Sequence, residues 1–184
     1  VAEAGASLAA NVDRVAAVRA TLPSSARIRV DANGGWTLTQ AREVLPLLGE
    51  LEYVEQPCYS LADCAAVRDL VPVALDEGVR LLADPAAAVA QVRSAADVVV
   101  LKATPLGGVR AALQIAEAVG LPVVVSGALD TAVGLSAGLA LAAALPEQPY
   151  AAGLGTGRLL SCDVTAAPVV PRDGALRVVR HSPD

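Results

Sequence analysis

Arg27-Ile28-Arg29-Val30-Asp31-Ala32-Asn33 is a short, largely apolar run that ends on an acid, and the chain repeats this plan three more times. Leu51-Glu52-Tyr53-Val54-Glu55-Gln56-Pro57 ends on Glu55, Val71-Pro72-Val73-Ala74-Leu75-Asp76-Glu77 on Asp76, and Asp97-Val98-Val99-Val100-Leu101-Lys102 on a lysine. The charged ends stand 24, 21 and 26 residues apart, the length of one strand-plus-helix unit. Helical patterns fill the gaps, and strand-helix repeats with right-handed crossovers make a barrel or a doubly wound sheet. The wholly apolar Val98–Leu101 suits a parallel sheet buried on both faces. In such folds the carboxyl ends of the strands carry the chemistry.

Outward from these strands, Leu8–Thr21 reads as a helix with Leu8, Val12, Val15, Val18 and Leu22 on one apolar stripe. Thr37–Leu48 reads as a helix capped by Thr37. Ser60–Leu70 has Ser60 as its cap and Asp63 in an acidic variant of the capping box. Asp84–Arg93 carries Pro85 at its first position, Leu106–Val119 stops at Gly120, and Thr131–Leu145 follows the strand Pro122–Val125. Ala151–Gly153 is a candidate last strand. Residues 1–157 are read as a partial barrel. Residues 158–184, without helical period, are read as a tail that packs on the barrel or on a further domain.

Composition narrows the function classes. Hydrophobic residues are 54% and charged residues 18%, which argues for a buried core and against disorder. Net charge is −5 with no cluster of Lys and Arg, so a nucleic-acid footprint is absent. The longest apolar stretch, Leu135–Leu145, is too short to span a membrane, and no signal peptide opens the chain. Three cysteines without zinc spacing read as reduced thiols of a cytoplasmic protein. The sequence has no Met and opens in mid-pattern at Val1-Ala2-Glu3, so it is read as a piece of a longer protein.

Side chains alternate along a strand, so Asp31 shares a face with Arg29, Glu55 with Tyr53, Asp76 with Ala74, and Lys102 with Val100. The four charges can therefore converge on one mouth. Three neighbouring carboxylates repel, and a divalent cation resolves the repulsion. All-oxygen donors favour Mg2+, with Mn2+ also suited, and argue against zinc. Such an ion keeps positions open for substrate oxygens and acts on a bound carboxylate as a Lewis acid. Lys102 can serve as base, acid or electrostatic partner. Glu77 competes with Asp76 for the ligand role, since alternation turns only one of them inward.

Other motifs carry less. Gly153-Leu154-Gly155-Thr156-Gly157 lacks the G-x-G-x-x-G spacing and reads as a turn whose amides meet an anionic group. Ser126-Gly127, after the Val123–Val125 strand, is either an anion contact or a plain turn. Cys58 has no nearby His to activate it. His181 lies in the tail.

The motifs Val30-Asp31-Ala32-Asn33, Glu55-Gln56-Pro57, Leu75-Asp76-Glu77, Leu101-Lys102-Ala103-Thr104, Ser126–Thr131 and Gly153–Gly157 resemble the enolase superfamily, in its muconate-lactonizing subgroup. Within that subgroup the chain is most similar to the actinobacterial o-succinylbenzoate synthases. The resemblance implies a C-terminal (β/α)7β TIM-type barrel, incomplete here, with the first barrel strands and an N-terminal capping domain of the same protein lying outside the chain. It implies Mg2+ held by Asp31, Glu55 and Asp76. Lys102 would stabilise an enediolate, and Asn33, Ser126, Gly127 and Gly153 would lie on the substrate side. The implied reaction is dehydration of 2-succinyl-6-hydroxy-2,4-cyclohexadiene-1-carboxylate, a small carboxylate, to o-succinylbenzoate in menaquinone biosynthesis. N-succinylamino-acid racemase and dipeptide epimerase use the same scaffold, and an inactive barrel fragment is the non-enzymatic alternative. A monomer is the expected state. The family's Lys-x-Lys motif, which holds the acid/base lysine, is expected just upstream of Val1.

Overall fold

The computed structural model describes residues 7–82, 84, 87–166 and 169–178. The chain separates into two compact units, Val1–Val99 and Val100–Asp184.

The first unit begins with α1 (Leu8–Thr21), β1 (Arg29–Asp31), α2 (Leu38–Val44), β2 (Tyr53–Glu55) and α3 (Leu61–Ala65). It continues with β3 (Val73–Leu75), α4 (Glu77–Arg80), α5 (Val89–Ala95) and the first half of β4 (Val98–Leu101). The strands pair in parallel and in chain order, with Asp31 opposite Glu55, Glu55 opposite Ala74, and Leu75 opposite Val99. Parallel neighbours need a long crossover between them, and the helical patterns supply it. Val54, Val73, Ala74, Leu75, Val98 and Val99 are wholly buried, as a sheet covered on both faces requires. The helix α5 turns Val92 and Ala95 inward and packs against α3 and β3.

The second unit holds the rest of β4, α6 (Val109–Val119), β5 (Val123–Val125) and α7 (Ala132–Ala144). The end of β4 lies beside the end of β5, where the Ser126 N–H donates to Leu101 O at 3.0 Å. Ala112, Ile115 and Val119 form the buried stripe of α6, which packs on α7. Gly138 lets α7 approach closely, because a Cβ there would stand 2.7 Å from Leu154 Cδ2. Asp163, from beyond the barrel pattern, accepts from the Ala132 N–H at 3.0 Å and so caps α7. The described tail has a 3-10 turn at Gly155–Leu159 and a bridge between Arg172 and Ala175, but no α-helix. His181 and Pro85 lie outside the described residues.

Several elements differ from the sequence reading. Asn11 is the only buried residue of α1, while Val18 and Leu22 of the expected stripe are exposed. The second helix turns into a 3-10 segment at Leu45–Leu47, where Pro46 removes an amide donor. The third α-helix ends at Ala65 and runs on as turns rather than to Leu70. Asp84 caps a turn through the Ala87 N–H instead of opening the helix, which starts at Val89. Gly107 and Gly108, at φ 88° and 111°, delay α6 to Val109. Ala151–Gly153 forms only an isolated bridge, Gly153 to Ser126, not a strand.

Candidate metal centre and active site

Asp31 and Glu55 close β1 and β2 as direct register partners, so backbone pairing alone sets their carboxylates side by side. Asp76 stands one residue past β3, as the N-cap of α4. This corrects the alternation argument for Asp76 and Glu77. The strand stops at Leu75, and Asp76 has left extended geometry with ψ −77°. Asp76 is 2% exposed, with Arg80 Nε 3.6 Å from its Oδ1. Arg80 also donates through Nη2 to Glu77 Oε1 at 3.2 Å. Glu77 Oε2 is buried with no hydrogen-bond partner among the described residues.

The loops after these strands are laced together. The N–H groups of Ala32, Gly34 and Trp36 donate to the carbonyls of Glu55, Gln56 and Pro57 at 3.0, 2.7 and 3.2 Å. Asp31 Oδ1 accepts from the Asn33 N–H at 2.8 Å, a local turn that holds Asn33 at φ 48° with its side chain exposed. The Gln56 N–H donates to Ala74 O and its side-chain Oε1 accepts from the Gly78 N–H, both at 2.8 Å. The three strand ends thus share one hydrogen-bonded frame.

No three His, Cys, Asp or Glu side chains among the described residues form a ready cage for an ion. In kind, however, the donors fit a hard divalent cation. They are oxygen-only, they come from adjacent strand ends, and Glu77 offers a buried carboxylate oxygen beside Asp76 that lacks a hydrogen bond.

Lys102 follows β4 directly, half-buried, with its carbonyl accepting from the Leu106 N–H. In the same unit, Ser126, Gly127 and Gly153 come together although 26 residues separate the latter two in sequence. Ser126 Oγ lies 3.4 Å from Gly153 O, the Gly127 N–H donates to Gly153 O at 3.0 Å, and the Gly153 N–H donates to Val125 O at 2.8 Å. The Ala128 N–H is taken by Asp130 Oδ2 at 2.8 Å. The Gly127 and Gly153 N–H groups expected to meet an anion, and that of Ala128 beside them, are therefore already engaged within the protein.

Cys58 and Cys64 are wholly buried and Cys162 is exposed; all three are free. Burial, helped by nearby Cys64 and Asp63, pushes the Cys58 thiol up to about 12, so it remains an inert structural thiol. Two residues escaped the sequence reading. Arg80 was hidden because the four-residue α4 is too short to show a period. Gln56 was hidden because an amide carries no charge signal. The clue to Gln56 was its position between Glu55 and Pro57, opposite in alternation to Glu55, where a polar side chain must find buried partners.

The family described as enolase C-terminal domain-like matches residues 2–183. The o-succinylbenzoate synthase of Thermobifida fusca is 55% identical over 98% of this chain and 57% of its own length. That of Mycobacterium ulcerans is 52% identical over 100% and 56%. The chain therefore spans little more than half the length of these curated relatives. The structure of muconate lactonizing enzyme from Pseudomonas putida superposes with a TM-score of 0.85 at 25% identity, covering 97% of this chain and 52% of that one. The L-Ala-D/L-Glu epimerase of Bacillus subtilis superposes with a TM-score of 0.75 at 30% identity, over 86% and 46%. With acids at successive parallel strand ends and a family match across nearly its whole length, this chain belongs to the enolase C-terminal domain-like family.

Proposed function

We propose that the protein carrying this chain is an o-succinylbenzoate synthase. It would dehydrate 2-succinyl-6-hydroxy-2,4-cyclohexadiene-1-carboxylate to o-succinylbenzoate, in the cytoplasm and on the route to menaquinone. The observation that carries this is the identity of 55% to a relative of that name across 98% of the chain. The paired strand ends of Asp31 and Glu55 supply the chemical rationale. No helix among the described residues is long and apolar enough to cross a membrane.

Asp31, Glu55 and Asp76 would hold Mg2+, with Mn2+ able to replace it. When bound, the ion supplies Lewis-acid stabilisation to substrate carboxylate oxygens. Loss of the α-proton builds negative charge on that carboxylate. The Lys102 ammonium is suited to stabilise it at the end of its strand. Asn33, Ser126, Gly127 and Gly153 are assigned to the substrate side. Lys102 is the only lysine in the sequence, so a reaction needing a second lysine as base must take it from elsewhere in the protein, where a capping domain is also expected.

The test is turnover by the full-length protein with and without EDTA. Dehydration that stops on chelation and returns with Mg2+ is expected, and activity that survives chelation overturns the metal assignment. The similarity to the dipeptide epimerase favours one second reading, a racemase or epimerase on the same residues. Deuterium exchange at Cα of N-succinyl amino acids or of dipeptides, without dehydration, would replace the synthase reading with that one.

A further inference from the structure

We infer that Gln56 is a positioning residue whose side-chain amide ties the strand end bearing Glu55 to the one bearing Asp76, and that divalent-metal affinity depends on it. The inference rests on the metal cradle proposed above and adds a residue that does not itself touch metal or substrate.

Four polar groups of Gln56 are engaged, and three of them reach the other two carboxylate-bearing ends. Its C=O accepts from the Gly34 N–H at 2.7 Å, in the turn that begins at Asp31. Its N–H donates to Ala74 O at 2.8 Å, two residues before Asp76. Its Oε1 accepts from the Gly78 N–H at 2.8 Å, two residues after Asp76. Its Nε2 donates to Cys58 O at 2.9 Å and pins the amide in place. Asp76 is thus bracketed on both sides, and Glu55 is the residue next to Gln56.

The site is built for an amide. Gln56 is 1% exposed, and a buried amide is costly unless its donor and acceptor are both used, as they are here. Gln56 also sits at φ 39°, a left-handed conformation that non-glycine residues seldom adopt. Such strain persists where the surroundings over-determine it, and that is common beside functional groups. Gly78 is matched to Gln56. A Cβ there would stand 2.8 Å from Leu61 Cδ2 and 3.1 Å from Gln56 Oε1, so only glycine lets this amide reach that N–H without displacement.

The test measures Mn2+ binding by electron paramagnetic resonance, without substrate, on the full-length protein and its variants, with thermal unfolding recorded in parallel. Gln56→Met fills similar volume and leaves the Gly78 N–H and Cys58 O without their partner. Removing outer groups that orient metal ligands typically costs about 10–100-fold in affinity, and a loss of that size is expected. Gln56→Asn keeps an amide and suits a positive φ but is one methylene too short to reach Gly78, so it is expected to weaken Mn2+ even if Gln56→Met fails to fold. Val92→Ala, in the wholly buried face of α5, is the control for general loosening. Dissociation constants of both Gln56 variants within twofold of wild type overturn the inference, and so does an equal weakening by Val92→Ala. Wild-type protein that does not bind Mn2+ removes the metal cradle itself, a failure distinct from the first two.

Discussion

Asp97→Asn separates the stability of the fold from the chemistry at its strand ends. Asp97 lies at the start of β4 and ties three pieces together. Its Oδ1 accepts from Arg68 Nη2 at 2.5 Å, and its Oδ2 accepts from Arg68 Nε at 3.2 Å and from the Val73 N–H at 2.9 Å. Arg68 also donates to Ser94 O at 2.9 Å. An asparagine retains an acceptor for Val73 but loses the ionic half of the pair. Hydrogen bonds to charged groups contribute about 1.5–3 kcal/mol each when well shielded. Here the Arg68 and Asp97 side chains are 32% and 36% exposed, so solvent screening reduces the pair to about 1–2 kcal/mol in total. For a domain of this size that is a fall of about 2–8 °C in thermal midpoint.

The pH dependence has a definite sign. Burial alone would raise the Asp97 carboxyl, but the Arg68 hydrogen bond, the Val73 amide and the Arg68 charge together hold it below its ordinary value of 3.8. A carboxyl lowered in the folded state contributes stability above its unfolded pKa and loses it as pH falls through the folded one. The gap between wild type and Asp97→Asn should therefore be full near neutrality and narrow below about pH 4. Circular dichroism melts of the full-length protein across that range measure it. A gap that is absent at neutral pH, or that widens on acidification, refutes the reasoning. Mn2+ affinity should stay within about twofold, because Asp97 pairs with the entry of β3 while Asp76 lies beyond its exit.

Asp31→Asn and Glu55→Gln should each abolish metal-dependent turnover of the full-length protein while leaving its thermal midpoint within a few degrees, and a mutant with normal turnover would remove that residue from the ligand set. Iodoacetamide at pH 8 followed by peptide mapping should label Cys162 in the native protein but Cys58 and Cys64 only after unfolding. Native-state labelling of Cys58 would contradict its burial and its raised pKa.

Four of the five strands were legible because each couples a β-branched or apolar run to a charge at its carboxyl end, a pattern that survives in segments as short as Arg29–Asp31, whereas β5 stands out only as the run Val123–Val125. Helix ends were legible where capping chemistry is local. Thr37 accepts from the Gln40 N–H while Gln40 Oε1 accepts from the Thr37 N–H, and Gly120 closes α6 at φ 62°. What failed was whatever depends on neighbours distant in sequence. Periodicity places the apolar residues of α1 on one stripe, but burial follows from what covers a face, and only Asn11 of that helix is buried in the described structure. The tail showed no helical period and has no α-helix, but its cap on α7 through Asp163 could not be inferred across 31 residues.

The same division runs through the candidate site. Asp31, Glu55, Asp76 and Lys102 announce themselves by charge against an apolar background, and their even spacing does the rest. The frame that sets their carboxylates is made of amides, and amides give no such contrast. Gln56 and Gly78 become informative only as a pair, one buried amide needing a donor and one backbone N–H with no room for a side chain beside it. Neither residue alone predicts the other, and 22 positions separate them. A substitution at either should disturb the geometry of acids it never touches. Strand-end acids therefore reveal where the chemistry would sit, whereas uncharged residues between them decide how firmly those acids are held.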